Sequence, residues 1–216
     1  YLRRFAARFH GLSAGDAAAR IRDTLAFPFP VKGDGARHRE SRMVRDLLWC
    51  APLQVRSHFS QRVPGLRDAA PGMAAAADEA MRRAALLRKD AGRNADLLSS
   101  AELAFRLHRL AARKIVAFEE AAARYRAAGK RAGQDPKAAL ADVEAAAALL
   151  AALAAEYRAC ADDFRVAIEQ YGHWEGDRKK CLEIAAALDK VVEGLREAAR
   201  KLAAGETRDL PPGEQF

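Results

Sequence analysis

The fold is decided by residues 140–168, LADVEAAAALLAALAAEYRACADDFRVAI. Apolar residues recur in this stretch at alternating spacings of three and four, at Leu140, Val143, Ala147, Leu150, Ala154, Tyr157, Ala161, Phe164 and Ile168. Heptad spacing of this kind places one apolar stripe along a single face of an α-helix. We therefore predict a long amphipathic helix that buries this stripe against neighbouring helices.

The same spacing recurs on either side of this stretch. One segment, over 97–125, carries it at Leu97, Ala101, Ala104, His108, Ala111, Ile115, Phe118, Ala122 and Tyr125. The other, over 181–202, carries it at Cys181, Ile184, Leu188, Val191, Leu195, Ala198 and Leu202. Short Gly-containing segments separate the three, and long helices joined by short turns pack antiparallel.

These patterns predict an all-α fold. A fourth helical pattern begins at Met73 and ends before the DAGRN turn at 90–94, and Asp135-Pro136 supplies a cap and a first helical residue. We expect an antiparallel up-down helical bundle of about four long helices, each about 40–50 Å long at 1.5 Å per residue.

Shorter, proline-interrupted helices precede the bundle. An apolar stripe at Leu2, Phe5, Ala6 and Phe9 predicts a first helix that stops at Gly11, and Ser13 offers an N-cap for a second helix. The segments AFPFPVKGDG (26–35) and PGLRDAAPG (64–72) indicate connectors, and Pro52 kinks or breaks a helix that starts near residue 38. We expect a short-helix and docking region over 1–63, the bundle over 64–205 and a disordered tail over 206–216.

The composition is rich in alanine and charge, with 7% aromatic residues and a formal net charge of +8 over 216 residues. Acidic residues alternate with the basic ones, and the aromatic interleaving used to stack nucleic-acid bases is missing. The pattern therefore favours a solvated charged surface over a specific nucleic-acid site. Weak binding to nucleic acid or an anionic surface is an alternative. The Ala-rich run at 145–155 is too short for a membrane span, so none is expected.

Three cysteines, Cys50, Cys160 and Cys181, form neither a disulfide framework nor a metal-binding spacing. Buried structural thiols are the expected state, with a Cys160–Cys181 pair as an alternative if their helices are neighbours.

For the polar residues on the predicted helices, structural roles are favoured over catalytic ones. His108 lies on a predicted core stripe, and a core or boundary histidine is favoured over a metal or haem ligand. The basic residues around it (Arg106, Arg109, Arg113 and Lys114) predict a solvated face with a Glu102–Arg106 pair, and a phosphate-binding stripe is the alternative.

Adjacent Asp162 and Asp163 point about 100° apart on a helix, so they do not converge as a general acid and base. A surface ion pair of Asp162 with Arg158 or Arg165 is expected. No nucleophile is paired with a base anywhere in the sequence, and we expect no catalytic residue, metal or cofactor.

The turn that contains Tyr171, His173 and Trp174 is the most distinctive polar–aromatic cluster. Aromatic residues in such turns contact sugars or partner proteins, or they close the end of a bundle as a hydrophobic cap. The cap is favoured, and the three residues are retained as candidates for interaction together with Leu2, Phe5 and Phe9.

The opening segment YLRRFAARFHGLSAGDAAARI (1–21) resembles the end of the catalytic barrel in family 20 glycoside hydrolases, where a helix of the form Phe-x-x-x-(Phe/Tyr)-Gly follows the last strand. Phe5, Phe9 and Gly11 carry this resemblance, and the region 94–114 and the final helices resemble the family's helical C-terminal region more loosely. The family's paired Asp-Glu lies in the barrel, so the resemblance assigns no catalytic residue to this chain.

The resemblance implies a non-catalytic C-terminal domain of a longer bacterial carbohydrate-active enzyme. Its partner would be the upstream catalytic barrel of the same chain, or a second copy in a homodimer. A stand-alone helical interaction or scaffold module is the alternative. An enzyme active through these residues alone is the least favoured interpretation.

Overall fold

The computed structural model describes residues 2–12, 16–25, 48, 66–171, 175–206 and 210. Its helices are α1 (Leu2–Phe9), α2 (Ala17–Leu25), α3 (Leu66–Asp90), α4 (Ala95–Arg131), α5 (Pro136–Tyr171) and α6 (Glu175–Ala203). No strand is found in this part of the chain, and the predicted all-α class is confirmed. The predicted Ser13 cap, the 26–35 connector and the break at Pro52 lie outside the described residues.

Ion pairs show that α3 and α4, and α4 and α5, pack antiparallel. Residue numbers rise along one helix as they fall along the next in the pairs Arg88–Glu102 and Asp78–Arg109, and in the pairs Arg113–Glu156 and Arg131–Asp142. One further pair, Arg158–Asp189, joins α5 to α6. The closest packing runs between α3 and α4, α4 and α5, and α5 and α6. Among the described helices, pairs that are not consecutive make at most slight contact, so closure into one bundle stays a prediction.

The apolar stripe of α5 is buried along most of its length, as predicted. The fully buried members are Val143, Leu150, Ala154, Tyr157 and Phe164, and they pack in one core with residues of α3, α4 and α6. Alanine occupies many of the remaining contact positions, so the backbones of adjacent helices approach closely. The core is therefore continuous from α3 to α6.

The stripes of α4 and α6 are rotated locally from the predicted positions. In α4, Leu97 and Ala104 are exposed, while Leu98 and Phe105 are buried in their place. In α6, Val192 and Ala199 are buried, while the predicted Val191 and Ala198 are half-buried. A straight α-helix has 3.6 residues per turn, so a 3.5-residue repeat drifts around the helix and the buried position passes to an adjacent residue.

Helix α3 begins earlier than predicted. The prediction of a connector over 64–72 is wrong from Leu66 onward, because the helix runs through Pro71. Proline at this point loses one backbone hydrogen bond, but the adjacent Ala70 and Met73 are completely buried. Between α4 and α5, Asp135 caps α5 as predicted. Its side chain accepts a hydrogen bond of 3.0 Å from the backbone N–H of Ala138.

Helices α1 and α2 pack on the end of the molecule where α3 turns into α4. A second core cluster joins Ala6, Ala17 and Ile21 to Leu87 of α3 and Leu98 of α4. Gly11 has a φ of +65°, the left-handed conformation that ends a helix, and confirms the predicted stop. Its backbone lies against Gly92, and a Cβ placed on Gly11 would come within 3.4 Å of the Gly92 Cα. This contact fixes α1 on the α3–α4 turn.

Burial in α6 gives a matched test of the packing. Leu188 is 0% exposed and Leu182, on the same helix, is 41% exposed. We expect Leu188→Ala to lower the free energy of unfolding by about 2–5 kcal/mol, because it removes buried methyl groups and leaves a cavity. Leu182→Ala should change it by less than about 0.5 kcal/mol. Urea denaturation of both variants measures the difference, and equal effects would contradict the assigned packing.

Candidate functional site

The outer face of α1 carries an aromatic–arginine patch, defined here as Arg4, Phe5, Arg8 and Phe9. Helical spacing of four places Phe5 beside Phe9 and Arg4 beside Arg8, while Ala6 points into the core. The two phenyl rings stack with their centroids 4.8 Å apart. Phe9 remains 37% exposed, and the four side chains line a shallow depression of about 430 Å³.

The patch rests on a rigid support. His10 lies beneath it, 5% exposed, and its ring meets Phe5 and Phe9 edge-on at 5.4 and 4.9 Å. The carbonyl of Phe9 accepts a hydrogen bond of 2.7 Å from the Asn94 side chain, and the carbonyl of His10 accepts one of 3.1 Å from the Arg93 backbone N–H. The α3–α4 turn therefore holds the aromatic pair in place.

The charge of the patch is uncompensated within the described part of the chain. Arg4 and Arg8 are exposed and form no ion pair there, whereas many arginines of the long helices bind carboxylates. Two positive groups beside the half-buried Phe5 ring and the exposed Phe9 ring complement a partner surface that combines apolar side chains with carboxylates.

The other predicted interaction residues are Leu2, Tyr171, His173 and Trp174. Leu2 is the first residue of α1 and Tyr171 is the last residue of α5, and the structure describes only the backbone of these two. His173 and Trp174 lie outside the described residues. The roles proposed for this turn stay predictions.

The ion pair predicted for the basic face of α4 is wrong. Glu102 binds Arg88 of α3 at 2.7 Å and does not pair with Arg106, which binds Asp163 of α5. Arg109 and Arg113 also reach across to other helices. The expected surface pair of Asp162 is wrong as well, because Arg158 binds Asp189 and Arg165 binds Glu169. Arg106, Arg109 and Arg113 of α4, and Arg158 of α5, therefore join neighbouring helices, whereas Arg165 pairs within α5.

A buried polar cluster between α4 and α5 was not anticipated. Lys114 is 0% exposed, although the sequence placed it on a solvated face. Its Nζ lies 3.4 Å from the carbonyl oxygen of Leu48 and 5.8 Å from the ring centroid of Tyr157. The Tyr157 hydroxyl donates a 2.8 Å hydrogen bond to the same carbonyl. The position of Lys114 between Ala111 and Phe118 on the core face was the signal that indicated burial.

This cluster anchors the segment at Leu48 to α4 and α5. In the core, the Leu48 carbonyl accepts hydrogen bonds from both a tyrosine hydroxyl and an ammonium group, which ties Leu48 to α4 and α5. Leu48 is itself buried in the main core.

His108 is half-buried at the edge of the core, as the sequence predicted. One ring nitrogen, Nδ1, donates a 2.7 Å hydrogen bond to the carbonyl of Ala104 in the preceding turn. Burial lowers the pKa of His108 below its usual 6.5, and the hydrogen bond to Ala104 opposes part of that effect. In the described residues, no group of three or more His, Cys, Asp or Glu side chains is placed to hold a metal ion.

Helix α5 is also long and apolar enough to cross a membrane, judged by length and composition alone. Within Pro136–Glu169, the most apolar 18-residue window has a mean hydropathy of 1.8, and 39% of it is buried inside the protein. A single such helix is weak evidence for a span, since core helices satisfy the same criterion. Here α5 lies between α4 and α6.

Comparisons with known proteins identify no relative: no family model, no curated protein and no solved structure matches the chain. The resemblance to family 20 glycoside hydrolases therefore stays a hypothesis.

The buried anchor generates one test. We expect Tyr157→Phe to lower the free energy of unfolding by about 0.5–1.5 kcal/mol, because the Leu48 carbonyl loses one hydrogen bond while the apolar ring stays in place. Chemical denaturation measures this change. An unchanged unfolding midpoint would show that the hydroxyl contributes nothing to the anchor.

The environment of His108 generates a second test. Because the pKa of His108 is lowered on folding, its contribution to stability is complete above about pH 6.5 and is lost as the pH falls toward the folded-state pKa. His108→Gln should therefore reduce the fall in unfolding free energy between about pH 7.5 and 5.5. Urea denaturation across this pH range checks it. Parallel pH profiles for both proteins would contradict the assignment.

Proposed function

We propose that the chain is a non-catalytic helical accessory domain that packs on another protein domain through the aromatic–arginine patch of α1. The observation that carries the proposal is the stack of a half-buried Phe5 on an exposed Phe9, flanked by Arg4 and Arg8. Aromatic and arginine side chains are enriched at protein interfaces and supply most of the binding energy there.

The rigidity of the patch supports a binding role. His10 and the α3–α4 turn hold the rings in position, so docking orders few side chains and loses little conformational entropy. A partner that presents an apolar centre and carboxylates at its edge would cover the rings and neutralise both arginines.

Charge argues against pairing of this patch with the same patch on a second copy. A two-fold contact between two α1 faces would bring Arg4 and Arg8 close to their own equivalents. Like charges in such a contact repel one another. A homodimer through α1 is therefore the less favoured of the two arrangements expected from the sequence.

The resemblance of residues 1–21 to the end of a family 20 glycoside hydrolase barrel suggests which domain is the partner. We take it to be a catalytic barrel that precedes this chain in a longer protein. In that arrangement the chemistry belongs to the barrel, and the helices supported by the α5 core serve as a scaffold beside it.

A binding experiment tests the proposal. The domain encoded immediately upstream of Tyr1, produced as a separate polypeptide, is titrated with the 216-residue chain by calorimetry. We expect Phe9→Asp, and separately Arg4→Glu with Arg8→Glu, each to weaken binding roughly tenfold or more, through loss of an aromatic anchor and reversal of the flanking charge.

The matched control is Arg126→Glu with Lys130→Glu, an exposed pair with the same spacing of four on α4. This control should bind as tightly as the unaltered chain. Equal affinity for all variants would overturn the role of α1. An upstream sequence without a barrel would overturn the glycosidase assignment but leave the α1 surface open to test with the domain found there.

A further inference from the structure

A groove of about 470 Å³ lies between α5 and α6, at the end of the molecule where α4 turns into α5 and α6 ends. Four alanines line it: Ala147 and Ala199 are buried, and Ala148 and Ala203 are exposed. Small side chains of this kind let another surface approach both helix backbones closely. The groove therefore offers an apolar surface that a second protein can cover.

Helix α5 has more apolar surface than its neighbours cover. The most apolar 18-residue window of Pro136–Glu169 has a mean hydropathy of 1.8, yet 39% of it is buried inside the protein. Ala148, Ala152 and Ala155 are exposed, and their spacings of four and three place them on one face of the helix. Because Ala148 also lines the groove, this face continues the groove along α5. Covering it would remove apolar surface from water and stabilise a complex.

The groove holds one acidic and one basic side chain that have no ion-pair partner in the described part of the chain. Glu144 of α5 and Arg196 of α6 are both exposed and line the same groove, but they do not pair with one another. Arg200, the other basic residue of the groove, is held by Glu197 at 2.7 Å. The uncompensated charges of the groove are therefore one of each sign, unlike the two positive charges of the α1 patch.

The register of α5 against α6 shows where these two side chains lie. Arg158 of α5 pairs with Asp189 of α6. Ten residues along each helix from that pair, Ala148 and Ala199 line the groove together, as an antiparallel register requires. These two alanines therefore mark one level along both helices.

Glu144 and Arg196 are displaced from that level in opposite directions. Glu144 lies four residues from Ala148 toward the start of α5, which is about 6 Å at a rise of about 1.5 Å per residue. Arg196 lies three residues from Ala199 toward the start of α6, which is about 4.5 Å the other way. The acid and the base therefore occupy opposite corners of the groove, offset by roughly 10 Å along the helices.

We propose that two copies of this chain associate through this groove, about a two-fold axis that passes midway between Glu144 and Arg196. Such an axis exchanges the two positions, so Glu144 of each copy meets Arg196 of the other. Two ion pairs then form together at the edges of an alanine-lined contact. A second copy fits the groove because the charge pattern of the groove is its own complement.

This surface suits self-association where the α1 patch does not. The α1 patch carries Arg4 and Arg8 and repels its own equivalent, whereas the groove brings opposite charges together. All residues that line the groove belong to α5 and α6, and α1 packs on the α3–α4 turn. A dimer through the groove would therefore leave both α1 patches available, and it stands or falls independently of the function proposed for α1.

The test is sedimentation velocity on the full chain at concentrations from about 1 to about 300 μM, which covers the range of a moderate dimer affinity. We expect a reversible monomer–dimer equilibrium. Glu144→Arg and, separately, Arg196→Glu should each weaken dimerisation roughly tenfold or more, because both ion pairs become pairs of like charge. The matched control is Arg126→Glu, an exposed charge reversal on α4 outside the groove, and it should dimerise like the unaltered chain.

Mixing the two weakened variants tests the two-fold arrangement itself. One variant carries arginine at both positions and the other carries glutamate at both, so an equimolar mixture should regain dimerisation as a heterodimer. Circular dichroism checks that each variant is folded. A chain that is monomeric at the highest concentration would overturn the proposal and assign the groove to a different partner. A dimer that neither groove variant weakens, or a mixture that does not regain dimerisation, would also overturn it.

Discussion

Burial of α5 between α4 and α6 is the constraint on which the rest of the structure depends. Its apolar stripe, centred on Leu150 and Tyr157, contacts both neighbours along several turns. Alanine at the intervening positions removes side-chain bulk and lets three backbones approach closely. A helix this apolar is stable in water only when its stripe is covered, and α4 and α6 cover it. Apolar burial is non-directional, so the antiparallel direction of neighbouring helices follows from the short segments that join them in the chain.

Polar side chains at the edge of this core join helices to one another. Arg106, Arg113 and Arg131 of α4 reach carboxylates on α5, and Arg158 of α5 reaches α6. Such partly exposed pairs contribute little stability one by one, but they favour one register between helices over its alternatives. Lys114 and Tyr157 act in the same way from inside, because a buried ammonium and hydroxyl favour the arrangement in which the Leu48 carbonyl accepts a hydrogen bond from each.

The α1 patch depends on the scaffold for its position. The α3–α4 turn donates hydrogen bonds to the carbonyls of Phe9 and His10 through Asn94 and Arg93. The aromatic pair and its two arginines therefore present a defined surface, and the chemistry of that surface is recognition by aromatic rings and positive charge.

The sequence by itself determined the all-α class, the α5 stripe, the Asp135 cap and the stop at Gly11, because each depends on spacing or backbone conformation within a few residues. Only the tertiary structure decided which arginines pair, that Lys114 is buried and that Cys160 and Cys181 lie in one core. In α4, the buried residue is Leu98 and not the predicted Leu97. These outcomes depend on the rotation and register of one helix against another. Packing between residues that are distant in the chain sets that rotation and register, and no local sequence pattern encodes them.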